Sequence, residues 1–172
     1  MTIEKLTQSY HVLIDEFLLL HQEALVAMDF ELALDIWCLF GDLLQSHIDT
    51  ENSLLFPAFD LQCVDVRWPV SLYLHEHHKI SSLLHQVETR LQALQAKPTR
   101  RGVVNLLDYQ RSFKNVIEHH EEREEIALLK ELQAQVSANL LADLMLGLQA
   151  AWPNIDDLLE KKTVFERRLA NH

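Results

Sequence analysis

The sequence predicts an all-α fold: an up-down-up-down four-helix bundle with additional C-terminal helices, in one domain over residues 1–172. Three observations lead there. Glycine and proline are scarce, three and four residues in 172, which favours long helices over sheets. Four segments carry apolar residues at helical spacing with short breaks between them. A chain of this length can bury one core, and neither a low-complexity stretch nor a long linker divides it.

The first stripe runs through Ile14, Leu18, Leu25 and Met28, with Asp29 and Phe30 as a short turn. The second carries Ala33, Ile36, Phe40 and Leu43 and continues to Leu54 and Leu55. Pro57 is expected to kink or end that helix, because it lacks a backbone donor and clashes with the preceding turn. Residues 62–67 read as a connection, and Pro69 suits the first turn of a third helix. That helix holds Tyr73, His77, Ile80, Leu84, Val87, Leu91 and Leu94, and it breaks at residues 97–102. A fourth carries Leu106, Phe113, Ile117, His120, Glu124 and Leu128. The bundle core thus spans about 5–133.

A C-terminal extension over about 137–170 adds two more apolar faces. Leu140, Leu141, Leu144, Met145 and Leu148 form one, ending near Trp152. Ile155, Leu158, Leu159, Phe165 and Leu169 form another beyond Pro153. These faces must cover either the bundle or a second copy of the chain, so a homodimer through the C-terminal helices is one expectation.

The formal charge of −11 argues against nucleic-acid binding, which needs a basic surface; Arg100 and Arg101 read as a solvated turn. No stretch is apolar enough to span a membrane, and the N-terminal residues show no basic start followed by an apolar run. A cytoplasmic protein is therefore expected. Cys38 and Cys63 lie 25 positions apart on what reads as one helix, roughly 37 Å if it is unbroken, so they are expected to be buried thiols and not a disulfide.

Histidine is the anomaly: ten in 172, most of them inside apolar helical patterns. Two segments share one chemistry, His47-Ile48-Asp49-Thr50-Glu51 and His120-Glu121-Glu122-Arg123-Glu124. On a helix, positions four apart lie on one face, so each segment presents an imidazole beside a carboxylate. Position matters more than spacing here. His47 and Glu51 continue the Phe40 and Leu43 stripe, and His120 and Glu124 continue the Phe113 and Ile117 stripe, so both pairs point into the core. A buried ionised carboxylate is costly unless it is paired or binds a metal.

Depth agrees. His11 lies 18 residues before Asp29 and His47 lies 17 after Phe30, so the two reach nearly one level in an antiparallel hairpin. His77 and His120 differ by about 4–5 Å from the next break. Because helices two and four run parallel, both carboxylates fall on the same side of the histidine layer. The expected metal site is His11, His47, Glu51, His77, His120 and Glu124, with room for two transition-metal ions. His21 is about 13 Å from the His11 level and is expected to be packed. His75, His78, His85 and His119 fall off the stripes, at surface or outer positions. His172 is expected to be unordered.

With these residues in view, the chain resembles hemerythrin-like (HHE cation-binding) domains over roughly residues 5–133. The most specific pieces are His47 to Pro57, Glu76-His77-His78-Lys79-Ile80 and His120 to Glu124, in that order. The resemblance implies two iron ions joined by an oxo or hydroxo bridge, with Glu51 and Glu124 bridging and the four histidines terminal. Other divalent transition metals are possible in such a site. It implies a small diatomic ligand, O2 or NO, bound or sensed, or a role in handling iron. The expectation leans away from an enzyme. The alternatives are a di-iron oxidoreductase, an iron–sulfur repair factor, and an interaction module whose metal is structural or vestigial. One departure stands out: oxygen-carrying hemerythrins place a histidine one turn before the third-helix ligand, and here that place is Tyr73.

Overall fold

The computed structural model describes residues 2–171; His172 lies outside them. The described residues are helical, with short connections and no strand. Helix α1 (Ile3–Val26) starts on Thr2, whose side chain accepts from Lys5 N–H. It ends earlier than the stripe suggests, because Met28 takes a left-handed backbone (φ 61) that reverses the chain. Asp29 then caps α2 (Phe30–Thr50) by accepting from Leu32 N–H at 3.0 Å. A Ser, Thr, Asp or Asn in that place satisfies one of the helix's orphan donors.

Pro57 does not end the second helix. A π-helical turn, Glu51–Leu55, follows α2, and the chain stays helical through α3 (Phe56–Gln62) with Pro57 at its start. The wider turn takes up the proline, so the connection comes only at residues 63–69. Helix α4 (Val70–Ala96) begins just after Pro69. Thr99 caps α5 (Arg100–Arg123), which places Arg100 and Arg101 in a first helical turn instead of a loop, both exposed. A second π-helical turn, Glu124–Leu128, carries this helix into α6 (Leu129–Gln135). Helices α7 (Ala138–Ala151) and α8 (Ile155–Ala170) are capped by Ser137 and Asn154.

The core is one cluster. Ile14, Phe17 and Leu25 of α1, Leu32, Ile36 and Phe40 of α2, Val87 and Leu91 of α4, and Phe113 of α5 have no exposed surface. Each such side chain contributes roughly 1.5–3 kcal/mol by leaving water. Helix α1 packs along α2 and α4 along α5, while α1 also meets α5 and α2 meets α4, so the four close a ring.

The C-terminal faces cover this ring. Helix α8 lies on α1, and α7 crosses α1, α2 and the first π turn, burying Leu144, Leu148, Trp152 and Leu158. Gly147 permits that crossing: a Cβ there would stand 2.9 Å from Leu54 Cδ1 in the π turn. Arg168 of α8 reaches Asp29, Glu31 and Asp35 near the start of α2. Of the two thiols, only Cys63 is buried; Cys38 is exposed on α2, contrary to the sequence expectation. Among the described residues, no helix is long and apolar enough to cross a membrane.

Candidate metal centre

The ring of helices brings all six predicted ligands into one buried cluster, none more than 3% exposed. His11 comes from α1, His47 from α2, His77 from α4 and His120 from α5, while Glu51 and Glu124 each open a π turn. The histidines pair as the depth argument expects. The His11 and His47 ring centres lie 5.1 Å apart, and those of His77 and His120 lie 4.5 Å apart.

The carboxylates stand between the pairs. Glu51 turns Oε1 to His47 Nε2 at 3.2 Å and Oε2 to His77 Nε2 at 3.4 Å. Glu124 turns Oε2 to His11 Nε2 and Oε1 to His120 Nε2, both at 3.3 Å. Each carboxylate thus gives one oxygen to each histidine pair. Two donor groups result, His11/His47/Glu51/Glu124 and Glu51/His77/His120/Glu124, with all ligand atoms in a group within 4.8 Å of one another. Each group can hold a metal ion. Donors about 2.1 Å from a metal and at right angles to each other stand ~3.0 Å apart, close to the separations found.

Hydrogen bonding takes up two of these atoms, His77 Nε2 and His120 Nε2, which lie 2.8 Å apart, and leaves the others free. All four oxygens of Glu51 and Glu124, and Nε2 of His11 and His47, have no hydrogen-bond partner. Buried polar atoms are nearly always satisfied, and a buried carboxylate is costly unless it is paired or binds a metal; here the oxygens have ion-pair contacts to imidazoles at 3.2–3.4 Å. Six such atoms facing one another fit the donor set of a metal centre.

The outer ring nitrogens are held from neighbouring helices. His77 Nδ1–H donates to Asn52 Oδ1 at 2.8 Å, His11 Nδ1–H to Glu125 Oε1 at 3.0 Å, and His120 Nδ1–H to Glu76 Oε2 at 3.1 Å. Arg123 in turn bonds Glu76. Such outer acceptors fix the tautomer and turn Nε2 inward, as metal-bound histidines require. His47 Nδ1 has no acceptor; its ring packs instead on Trp152, with centres 5.1 Å apart. The sequence reading missed Asn52, Glu76, Glu125 and Trp152. The first three each neighbour a ligand in sequence, which is the one signal that marks them.

The six groups divide their protons unequally. Burial pushes the Glu51 carboxyl well above its usual range, and the Glu124 charge adds to this. Burial acts on Glu124 in the same direction, but His120 and His11 outweigh it and hold Glu124 well below the usual range. Burial opposes charge on His120 and His11 as well. Glu124 and Glu76 overcome it to raise His120 to about 10, and Glu124 and Glu125 overcome it to raise His11. Burial, with the neighbouring His120 and His11, pushes His77 down to about 3 and His47 well below normal. Two carboxylates sharing one site cannot both ionise cheaply.

The remaining histidines fall elsewhere. His21 is buried with both nitrogens satisfied: Nδ1–H donates to the Ala33 carbonyl and Nε2 accepts from Gln110, both at 2.8 Å. His75, His78, His85 and His119 are exposed. Tyr73 is buried against Phe56, Phe59 and His120, with ring centres 5.7–6.5 Å away. No family model, no curated protein and no solved structure matches this chain.

Proposed function

We propose that the chain is a di-iron protein of hemerythrin-like type, an up-down-up-down four-helix bundle whose C-terminal helices brace the metal-bearing ring. The observation that carries this reading is the division of each carboxylate, one oxygen to each histidine pair. Glu51 and Glu124 would bridge two ions. His11 and His47 would complete one, His77 and His120 the other. Four nitrogen and carboxylate donors per ion leave positions open, which suits ferrous iron and a small ligand. When bound, the iron pair would supply reversible electron exchange with O2 or NO, and the reading favours binding or sensing over turnover in the cytoplasm.

The chain's own residues do the rest. Asn52, Glu125 and Glu76 keep three imidazoles in the tautomer with Nε2 inward. Burial excludes water from the carboxylates, and Trp152 closes the His47 side. Since α7 and α8 spend their apolar faces on α1, α2 and the first π turn, the proposal does not require a second copy of the chain.

Metal analysis with an ultraviolet–visible spectrum of anaerobically reduced and then aerated protein tests this. The expected result is an iron content near two per chain, one for each donor group, with charge-transfer bands appearing on aeration. Folded protein that cannot be loaded with iron would defeat the proposal and favour an interaction module.

A further inference from the structure

The four histidines define one level of the ring. Because α1 and α4 run opposite to α2 and α5, the next level lies one turn after the histidine on α2 and α5, and one turn before it on α1 and α4. On α2 and α5 these positions are Glu51 and Glu124. On α1 it is Thr7, four residues before His11, and on α4 it is Tyr73, four before His77. The carboxylate layer therefore contains two hydroxyls.

Both Thr7 and Tyr73 are wholly buried, and neither hydroxyl donates a hydrogen bond, although the Leu128 backbone N–H faces the Tyr73 oxygen. Thr7 differs in this from other helical threonines of the chain. Thr50, Thr89 and Thr163 each donate to the carbonyl four residues back, at 2.7, 3.0 and 2.9 Å, the ordinary habit of a helical hydroxyl. On the opposite side of the histidine level the neighbours are Ile14, Leu43, Ile80 and Ile117, all buried and apolar. Of these two flanking levels, the carboxylate side is the one that carries buried hydroxyls without a partner. One further turn along α1, about 6 Å from Thr7, Ile3 lines an apolar cavity of about 470 Å³ with Leu129, Leu132, Leu141 and Met145.

We infer that the Thr7 and Tyr73 hydroxyls are the paired donors of a ligand subsite beside the bridging carboxylates. The subsite takes a small anion or another compact hydrogen-bond acceptor, which enters from the Ile3 cavity. This inference rests on the di-metal reading and adds to it where the exogenous ligand lies and what recognises it. A buried donor left unpaired is unfavourable, whereas a ligand acceptor would satisfy both.

Thr7→Val exchanges the hydroxyl for a methyl and Tyr73→Phe removes it, each with little change in packing volume. Two measurements are made on each. In the metal-free proteins, a melting temperature at or above wild type is expected for Thr7→Val, since an unpaired buried hydroxyl has been replaced by an apolar group. Tyr73→Phe also removes the oxygen that faces the Leu128 backbone, so its melting is compared only to establish that it folds. A clear drop in Thr7→Val would mean that its hydroxyl is bonded within the fold and would overturn the subsite. In the iron-loaded, oxidised proteins, azide is titrated by its charge-transfer band. Iron content should match wild type, with azide affinity roughly tenfold weaker in each variant. Unchanged azide affinity, or a wild type that takes iron but no azide, would overturn the subsite and leave the di-metal reading standing. A wild type that takes no iron would bring down both.

Discussion

The backbone N–H of Phe56 donates to the carbonyl of Glu51, five residues back, and Leu129 does the same to Glu124. Both predicted bridging residues therefore open a π turn. The reason lies in two runs spaced by four: His47, Glu51, Leu55, Phe59 and His120, Glu124, Leu128, Leu132, every member buried. In an α-helix a step of four overshoots a full turn by ~40°, so three steps would swing the last residue ~120° off the face. A turn with one extra residue acts against that drift and keeps ligands and core residues on one side.

Proline cannot be the common cause, since the second π turn has none. Pro57→Ala is therefore expected to keep the π turn and full metal content. Its cost should be about 0.4–1 kcal/mol, arising mainly from a more flexible unfolded chain. Metal analysis and thermal melting of the variant check this; loss of metal binding would make Pro57 the origin of the first turn.

Glu76 acts through His120 and is itself fixed by Arg123. Glu76→Gln preserves shape but weakens the grip on His120 Nδ1–H. Removal of an outer acceptor of this kind typically lowers metal affinity by about 10–100-fold. A competition titration against a chelator should show that loss with the fold intact by circular dichroism. Equal affinity would reduce Glu76 to an ion-pair partner of Arg123 with no hold on the site.

His21 makes stability depend on pH. Burial lowers its pKa from 6.5 to about 4, with the Ala33 carbonyl opposing. Below pH 6.5 the unfolded chain takes up a proton that the native state refuses until about pH 4. Stability is therefore lost as pH falls through that window, by up to about 3 kcal/mol. His21→Gln lacks this titration, so denaturant melts of metal-free protein should show its deficit against wild type shrinking between pH 7 and pH 4. A deficit constant across that range would contradict a neutral buried His21.

The six candidate ligands were legible because each lies on the apolar stripe of its own helix, so local spacing and the expectation of antiparallel packing suffice to place them. Asn52, Glu76 and Glu125 were not legible as partners. Each sits beside a ligand in sequence yet serves a histidine on a neighbouring helix, which depends on how the helices are rotated against each other. The π turns hid for a related reason: Pro57 drew attention as a helix breaker, while the four-spaced burial that calls for a wide turn runs across it. The apolar faces of α7 and α8 were visible in the sequence, but their target was not. Gly147, which admits α7 against Leu54, reads in isolation as a weak spot in a helix.

Trp152 offers an optical readout of the site. It is 4% exposed, packs on Tyr10 with ring centres 4.4 Å apart, and lies 5.1 Å from His47. Trp37 packs instead on His21 and Phe40, and Trp68 lies under Arg67. Loading iron should therefore quench Trp152 most strongly, and Trp152→Phe should abolish most of the quenching while leaving the emission of the other two. Truncation to alanine goes further: Trp152→Ala opens a cavity over His47 and should cost about 3–5 kcal/mol of stability. Full quenching retained in Trp152→Phe would place the bound metal away from His47, against the two-group arrangement.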